Sequence, residues 1–202
     1  YGTDHKKIFD QMVRQDQMLG LLFSRLTEID AWDYVTLLLV SDHGMINVNK
    51  YISLKDVLDS IEIDYILSAG PAVAHIFIDD KAQRDEALEL LSRQDHMIAY
   101  RRENLPASFH MNHPTRTGDL IVTTEPPYMF NNNPKDGPKG MHGYDPDLRE
   151  MHAIFGAVGA GVRNERIGPI HMTDVAPTIA KLLGIKSVNH MQGRAIDLSP
   201  KD

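Results

Sequence analysis

Short apolar runs alternate with helix-patterned stretches along most of this chain, and that alternation restricts the fold more than any other feature. Tyr34–Val40, Ala72–Ile78 ("AVAHIFI") and Met151–Gly159 ("MHAIFGAVG") have strand length and are too short for buried helices. Met97–Tyr100 and Leu120–Thr123 read as further short strands. Ile8, Met12, Leu19, Leu22, Phe23 and Leu26 recur at mixed three- and four-residue steps, which predicts an amphipathic helix over roughly residues 6 to 27. Lys81–Arg93 is a charged helix with an apolar stripe at Ala87, Leu88 and Leu91. "TDVAPTIAKLLG" offers a cap at Thr173 or Asp174, Pro177 in the first turn where its missing N–H is tolerated, and Gly184 as a stop. Strands alternating with helices predict an α/β fold with a largely parallel central sheet and helices on both faces. The segment from about 50 to 125 reads as a small α+β insert. Glu125–Gly140, with four prolines, three asparagines and two glycines, reads as a loop.

At 202 residues the chain makes one large domain or two small ones, and 42% hydrophobic residues suffice for a core. A net charge of −7 argues against specific or general nucleic-acid binding, which wants a basic face. No run approaches the ~20 apolar residues of a membrane span. The absence of cysteine excludes a disulfide scaffold and thiolate metal ligands, and suits cytosol and bacterial periplasm equally. Tyr1 stands where an initiator methionine would, so the sequence is read as a fragment or processed product.

The chemistry concentrates in two stretches. In "LLLVSDHGM", Leu37–Met45, a buried-strand pattern runs straight into Asp42, His43 and Gly44. Ligands of open α/β sheets bind beyond the carboxyl ends of strands. A carboxylate and a neutral imidazole are both good ligands for a divalent metal such as zinc. Neighbouring strand residues point opposite ways, so the chain must turn for both to face one ion, and Gly44 permits that turn. An isolated Asp-His pair is more often a helix cap beside an exposed imidazole. The second stretch, "GMHGYDP", sets His142 between Gly140 and Gly143 and just before a buried strand, where little side-chain bulk hinders a metal or ligand. Together they place three candidate ligands, Asp42, His43 and His142, at the rim of one sheet. His75, inside an apolar strand, reads as a satisfied core histidine. His5, His96, His110, His113, His152, His171 and His190 read as structural or exposed.

"VSDHGM", followed about a hundred residues later by "GMHGYDPDLREMHAIFGAVG", resembles the type I phosphodiesterase / nucleotide pyrophosphatase family of the alkaline phosphatase superfamily. "YISLKDVL", "GPAVAHIFI", "HPTRTGDLIVTTEPPYMF" and "TDVAPTIAKLLGI" sit in family order. The resemblance implies an alkaline-phosphatase-like sandwich and two zinc ions about 4 Å apart. Asp42 and His43 would ligate the zinc that activates the nucleophile. His142 would ligate the zinc that stabilises the phosphoryl oxygens. It implies further a threonine nucleophile, another Asp ligand and an Asp-x-x-x-His pair, none of which this chain matches. On that reading the chain is the C-terminal half of a catalytic domain, paired with an N-terminal half and incomplete alone. The implied substrate is a small phosphodiester or nucleotide, and the implied location periplasmic or secreted. A monoesterase, sulfatase or phosphonoacetate hydrolase of the same superfamily, or an inactive metal-binding fragment, are the alternatives. "DVAPTIAKLLG" does not separate them, whereas the "HGYDP…MHAIF" stretch favours the diesterase branch.

Overall fold

The computed structural model describes residues 1–133, 137–186 and 190–200. The chain divides into two compact units, one of Tyr1–Phe9 with Gly44–His152, the other of Asp10–His43 with Ala153–Asp202. The expected first helix is α1, Lys6–Glu28. β1 is Thr36–Val40, β2 Ile46–Asn47, β3 Lys50–Ile52, α2 Leu54–Leu58, β4 Ile66–Ala69 and β5 Val73–Phe77. α3 is Lys81–Ser92, β6 Met97–Arg101, β7 Leu120–Thr124, β8 Tyr128–Phe130, β9 Gly140–Met141, β10 Phe155–Gly159 and α4 Val175–Leu182.

The first unit is built on a four-stranded sheet in the order β4-β5-β7-β6. β5 alternates cleanly, with Ala74 and Ile76 buried and Val73, His75 and Phe77 half-buried on the other face. Ala74, Ile76, Leu120 and Val122 pack with Ala87 and Leu91 of α3 and with Leu54 and Leu58 of α2. Burying these apolar groups at about 25 cal/mol per Å2 is the main stabilising force of the unit. Each helix starts on a side-chain cap. The Asp80 carboxylate accepts the Gln83 N–H at 2.9 Å, and the Ser53 hydroxyl accepts the Asp56 N–H at 3.2 Å. A second cluster joins Val48, Ala72, Met129, Tyr144 and Met151.

The largely parallel sheet expected from the sequence is not what the described strands form. β3 and β8 run parallel, and every other described pair is antiparallel. The alternation of strand and helix is real, but it produces one crossover here. β5 and β6, joined by α3, both run antiparallel to β7, which lies between them. This is a split β-α-β unit, and the parallel neighbours never touch. β8 falls inside the stretch read as a loop, where Tyr51 pairs with Met129, and residues 134–136 of that stretch lie outside the described residues. The stretch Met151–Gly159 is likewise not one strand, since a 3-10 turn at Arg149–Met151 precedes β10.

In the second unit β1 pairs with β10 antiparallel, from Thr36↔Gly159 to Val40↔Phe155. The stretch of β1 reads in the sequence as a buried strand, yet Leu39 and Val40 are 47% and 44% exposed. No residue of α1 is buried, and its Met12, Met18 and Leu21 are exposed. The turn Ala31–Asp33 sets Trp32 against Phe23, ring centroids 5.1 Å apart, with the indole N–H donating to the Thr27 hydroxyl at 2.8 Å. α4 ends as the sequence predicts. The N–H of Gly184 donates to the Lys181 carbonyl and that of Ile185 to the Ala180 carbonyl, a Schellman closure. At its start Asp174, one of the two expected caps, stands at the N-cap position but makes no side-chain cap bond, and a 3-10 turn at Met172–Asp174 leads into it. The Asp174 carboxylate reaches back to the N–H groups of Arg194 at 2.8 Å and His171 at 3.0 Å, which hold its pKa below the usual carboxylate value. Among the described residues no helix is long and apolar enough to cross a membrane.

His75 is the satisfied histidine the sequence suggested. Its Nδ1 accepts the Gly118 N–H at 3.2 Å, and burial lowers its pKa from 6.5. An imidazole that accepts at Nδ1 must be neutral there, so protonation breaks the bond as well as charging a half-buried ring. The unfolded chain takes up this proton near pH 6.5 and the folded chain at lower pH. Stability is therefore full above about pH 6.5 and declines as pH falls below it. NMR titration of His75 should give a value below 6.5. The urea midpoint should fall on acidification, less steeply in His75→Gln. A folded-state pKa of 6.5 or more would contradict this.

Candidate metal centre

β1 delivers Ser41, Asp42 and His43 at its carboxyl end. Hydrogen bonds fix the stretch on both sides. The Ser41 N–H donates to the Ile154 carbonyl at 3.2 Å, and the Ser41 hydroxyl accepts the Ile154 N–H at 3.0 Å. The Gly44 N–H donates to the Met151 carbonyl at 3.0 Å. Gly44 is not in the left-handed region, so a turn open only to glycine is not its reason. Close approach is the reason. A Cβ at Gly44 would lie 2.0 Å from the Glu150 carbonyl oxygen and 2.9 Å from that of His152. Asp42 is exposed, and its Oδ1 accepts the His43 N–H at 3.0 Å. His43 is more covered, with Nε2 3.5 Å from Asp42 Oδ2. The two side chains therefore lie against each other at the end of β1.

His142 belongs to the other unit and follows β9 directly. β9 pairs with β2, Met141 against Ile46 and Gly140 against Asn47, and β2 begins three residues after His43. Gly143 has φ +86, a conformation that suits glycine, so the chain reverses immediately behind the imidazole. Tyr144 then turns inward, and its hydroxyl donates to the Tyr128 carbonyl at 2.6 Å. Burial pushes the phenol up to about 12, so it stays a donor at any physiological pH. The donor set suits zinc in kind but is short in number. Asp42 and His43 would supply two of the about four donors a zinc site wants, and among the described residues no three His, Cys, Asp or Glu side chains gather as one metal site.

Within the first unit a cleft of about 770 Å3 opens beside the His142 loop, its lining including Gly143, Tyr144, Asp145, His96, Tyr100 and Phe109. Its charged lining residues are Glu125, Asp145 and Glu150, with no lysine or arginine among the described lining residues. His96 sits at φ +62, stacks on Tyr128 with centroids 3.9 Å apart, and places Nδ1 3.1 Å from Glu125 Oε1. His113 is also partnered, its Nδ1 accepting from the N–H groups of Thr115 and Arg116. Sequence reasoning left both without partners, because their partners are a strand-end carboxylate 29 residues away and local backbone. Asn47 was missed as well. Its signal was present, a polar residue between Ile46 and Val48 just past the Asp-His pair.

A solved structure of human ectonucleotide pyrophosphatase / phosphodiesterase 5 matches this fold with TM-score 0.82 at 28% identity, over 94% of this chain and 51% of that one. An inactive variant of the murine protein, solved in complex with AMP, matches with TM-score 0.81 at 28% identity over the same shares. The fold is thus the alkaline-phosphatase-like α/β fold of these phosphodiesterases. The family profile described as type I phosphodiesterase / nucleotide pyrophosphatase matches residues 1–145, and the chain belongs to that family. Among curated relatives, bis(5'-adenosyl)-triphosphatase enpp4 of Xenopus laevis is 28% identical over 189 residues, 92% of this chain and 41% of the relative. Human ectonucleotide pyrophosphatase/phosphodiesterase family member 5 is 31% identical over 180 residues, 87% and 37% of the two chains. The chain spans less than half the length of these relatives.

Proposed function

We propose that the protein to which this chain belongs hydrolyses a phosphodiester or pyrophosphate bond of a small nucleotide-like substrate, with Asp42, His43 and His142 as metal ligands. The observation that carries the reading is the convergence of Asp42 and His43 at the end of β1, locked by the close approach of Gly44 to the 150–152 backbone. Bound there, zinc would supply Lewis-acid stabilisation of charge on the phosphoryl oxygens and lower the pKa of a nucleophile. This chain's residues hold and orient. Gly143 lets the backbone reverse behind His142, and Ser41 and Gly44 clamp the Asp-His pair between two backbone partners. The threonine nucleophile belongs to the part of the domain outside this chain.

The N-terminal half is also the partner we assign to the second unit. Exposed Leu39, Val40 and Val158 on β1 and β10, with Met12, Met18 and Leu21 on α1, form apolar surface that water disfavours. The chain covers 51% of the human relative's solved structure, so a segment of ample length remains to cover it. Further strands beside β1 and β10 would supply the larger central sheet, with helices on both faces.

Charge in the site loops selects the reaction class. Ser41–Asn47 and Lys139–Asp145 contain one lysine and no arginine, and the adjoining cleft is acidic and aromatic. A dianionic monoester calls for an arginine fork, whereas a diester carries one charge and needs room for a second ester group. The cleft beside His142 is where we place that group. The zinc-loaded full-length protein should prefer bis(p-nitrophenyl) phosphate over p-nitrophenyl phosphate by at least ~10-fold in kcat/KM, which is ~1.4 kcal/mol of differential transition-state binding. A preference for the monoester would move the protein to the phosphatase side of the superfamily.

A further inference from the structure

We infer that Asn47 is a positioning residue for His142, holding the strand pair that delivers it against the segment Tyr1–Asp4. The inference rests on the reading of His142 as a metal ligand. Asn47 is half-buried and uses both ends of its amide. Its Oδ1 accepts the Thr3 N–H at 2.6 Å, and its Nδ2 donates to the Asp4 carboxylate. The amide orientation follows from chemistry. An N–H needs an acceptor and a carboxylate needs a donor, so a flipped amide would lose both bonds.

The segment lies against both strands. A Cβ at Gly2 would stand 2.5 Å from Asn47 Oδ1 and 3.1 Å from the Lys139 carbonyl, and one at Gly140 would stand 3.1 Å from the Tyr1 carbonyl. Such anchoring is needed because the ladder itself is short. Ile46↔Met141 and Asn47↔Gly140 are its two pairs, extended by the Val48 N–H donating to the Lys139 carbonyl at 3.0 Å. Two strands alone are marginal in water, whereas a metal ligand must be held to within about 0.5 Å. Gly140, the ladder partner of Asn47, is two residues from His142, so motion of β2 passes directly into the ligand.

A mere stability role is separated from positioning by exchanging donor and acceptor in the full-length protein. Asn47→Asp keeps the acceptor for Thr3 but sets a carboxylate against Asp4. Adding Asp4→Asn restores the pair with its roles reversed. Zinc affinity, measured by competition with a chromophoric chelator, should weaken about 10–100-fold in Asn47→Asp, the usual cost of losing an outer-shell support. In the same variant kcat on bis(p-nitrophenyl) phosphate should fall at unchanged KM. The double variant should recover wild-type zinc affinity to within about threefold. If Asn47→Asp does not fold, Asn47→Ala gives the single-variant reading. Unchanged zinc affinity in the single variant overturns the assignment. So does a double variant that melts like wild type without recovering zinc. Failure of the metal reading registers separately, as zinc affinity that also survives His142→Ala, and both then fall.

Discussion

Asp42→Asn and His142→Ala should each lower kcat/KM for a diester at least ~10³-fold in the full-length protein, with zinc content falling in parallel. The effect is expected to be chemical because neither change touches the core. The Asp42 side chain is 86% exposed, and its recorded bond is to the neighbouring His43 N–H. Asparagine keeps an oxygen for that bond while removing the negative charge a cation needs. His152→Ala is the internal comparison. His152 is exposed and lies ten residues beyond His142, and its backbone carbonyl, which the substitution retains, is what crowds Gly44. Turnover of that variant should stay within a few-fold of wild type. Equal losses from His142→Ala and His152→Ala, with folding intact, would mean that the ligand assignment is wrong or that both histidines act.

Gly44→Ala should destabilise the fold by about 3 kcal/mol or more, which is unusual for a single methyl group. The added Cβ would meet the Glu150 carbonyl carbon and oxygen at 2.9 and 2.0 Å and the His152 oxygen at 2.9 Å. These are main-chain atoms, so no side chain can swing away. The 150–152 segment or residue 44 must move, and the hydrogen bond from Gly44 to Met151 goes with it. Gly20→Ala is the contrasting substitution. It lies in α1 with no atom beyond its own helix backbone within 4 Å of the new carbon, so helix propensity alone should stabilise by about 0.5–1 kcal/mol. Urea midpoints at constant m-value decide both. A Gly44→Ala variant within 0.5 kcal/mol of wild type, taking about that as ordinary surface scatter, would remove close packing as the reason for this glycine.

The elements read from the sequence were those whose pattern is local. α1, β5, α3, β6, β7 and the close of α4 rest on periodicity, caps and a terminal glycine, and these act over a few residues. What the pattern could not carry was pairing. Nothing in "AVAHIFI" says whether its neighbour runs with it or against it, and the helix that follows suggested a parallel partner where β7 intervenes. β8 was hidden because prolines at 126 and 127 flank it and three strand residues are too few to show a period. At the site, the Asp-His pair and the Gly-flanked histidine were legible as residue types suited to a metal. Gly44 was legible as necessary but for a different reason, since close approach to residues more than a hundred positions away leaves no local trace. The contacts of Asn47 and His96 are made to Asp4 and Glu125, which no spacing rule connects to them.

The pairing of β1 with β10 also governs when the Asp-His pair can take shape. The Thr36 hydroxyl reaches the Ala160 carbonyl across 124 positions of sequence, and Ser41 reaches Ile154 across 113. Loop-closure entropy must be met before such contacts return any stabilisation, whereas the β4–β5 hairpin closes across a few residues. During synthesis the hairpin and α3 have left the ribosome long before β10 exists. The strand carrying Asp42 and His43 therefore waits for β10 while the first unit gathers its core. Until then the side of its apolar run that β10 will cover is open to pairing with a neighbour. The end of β1 is therefore held against β10 only once nearly the whole of this chain has been made.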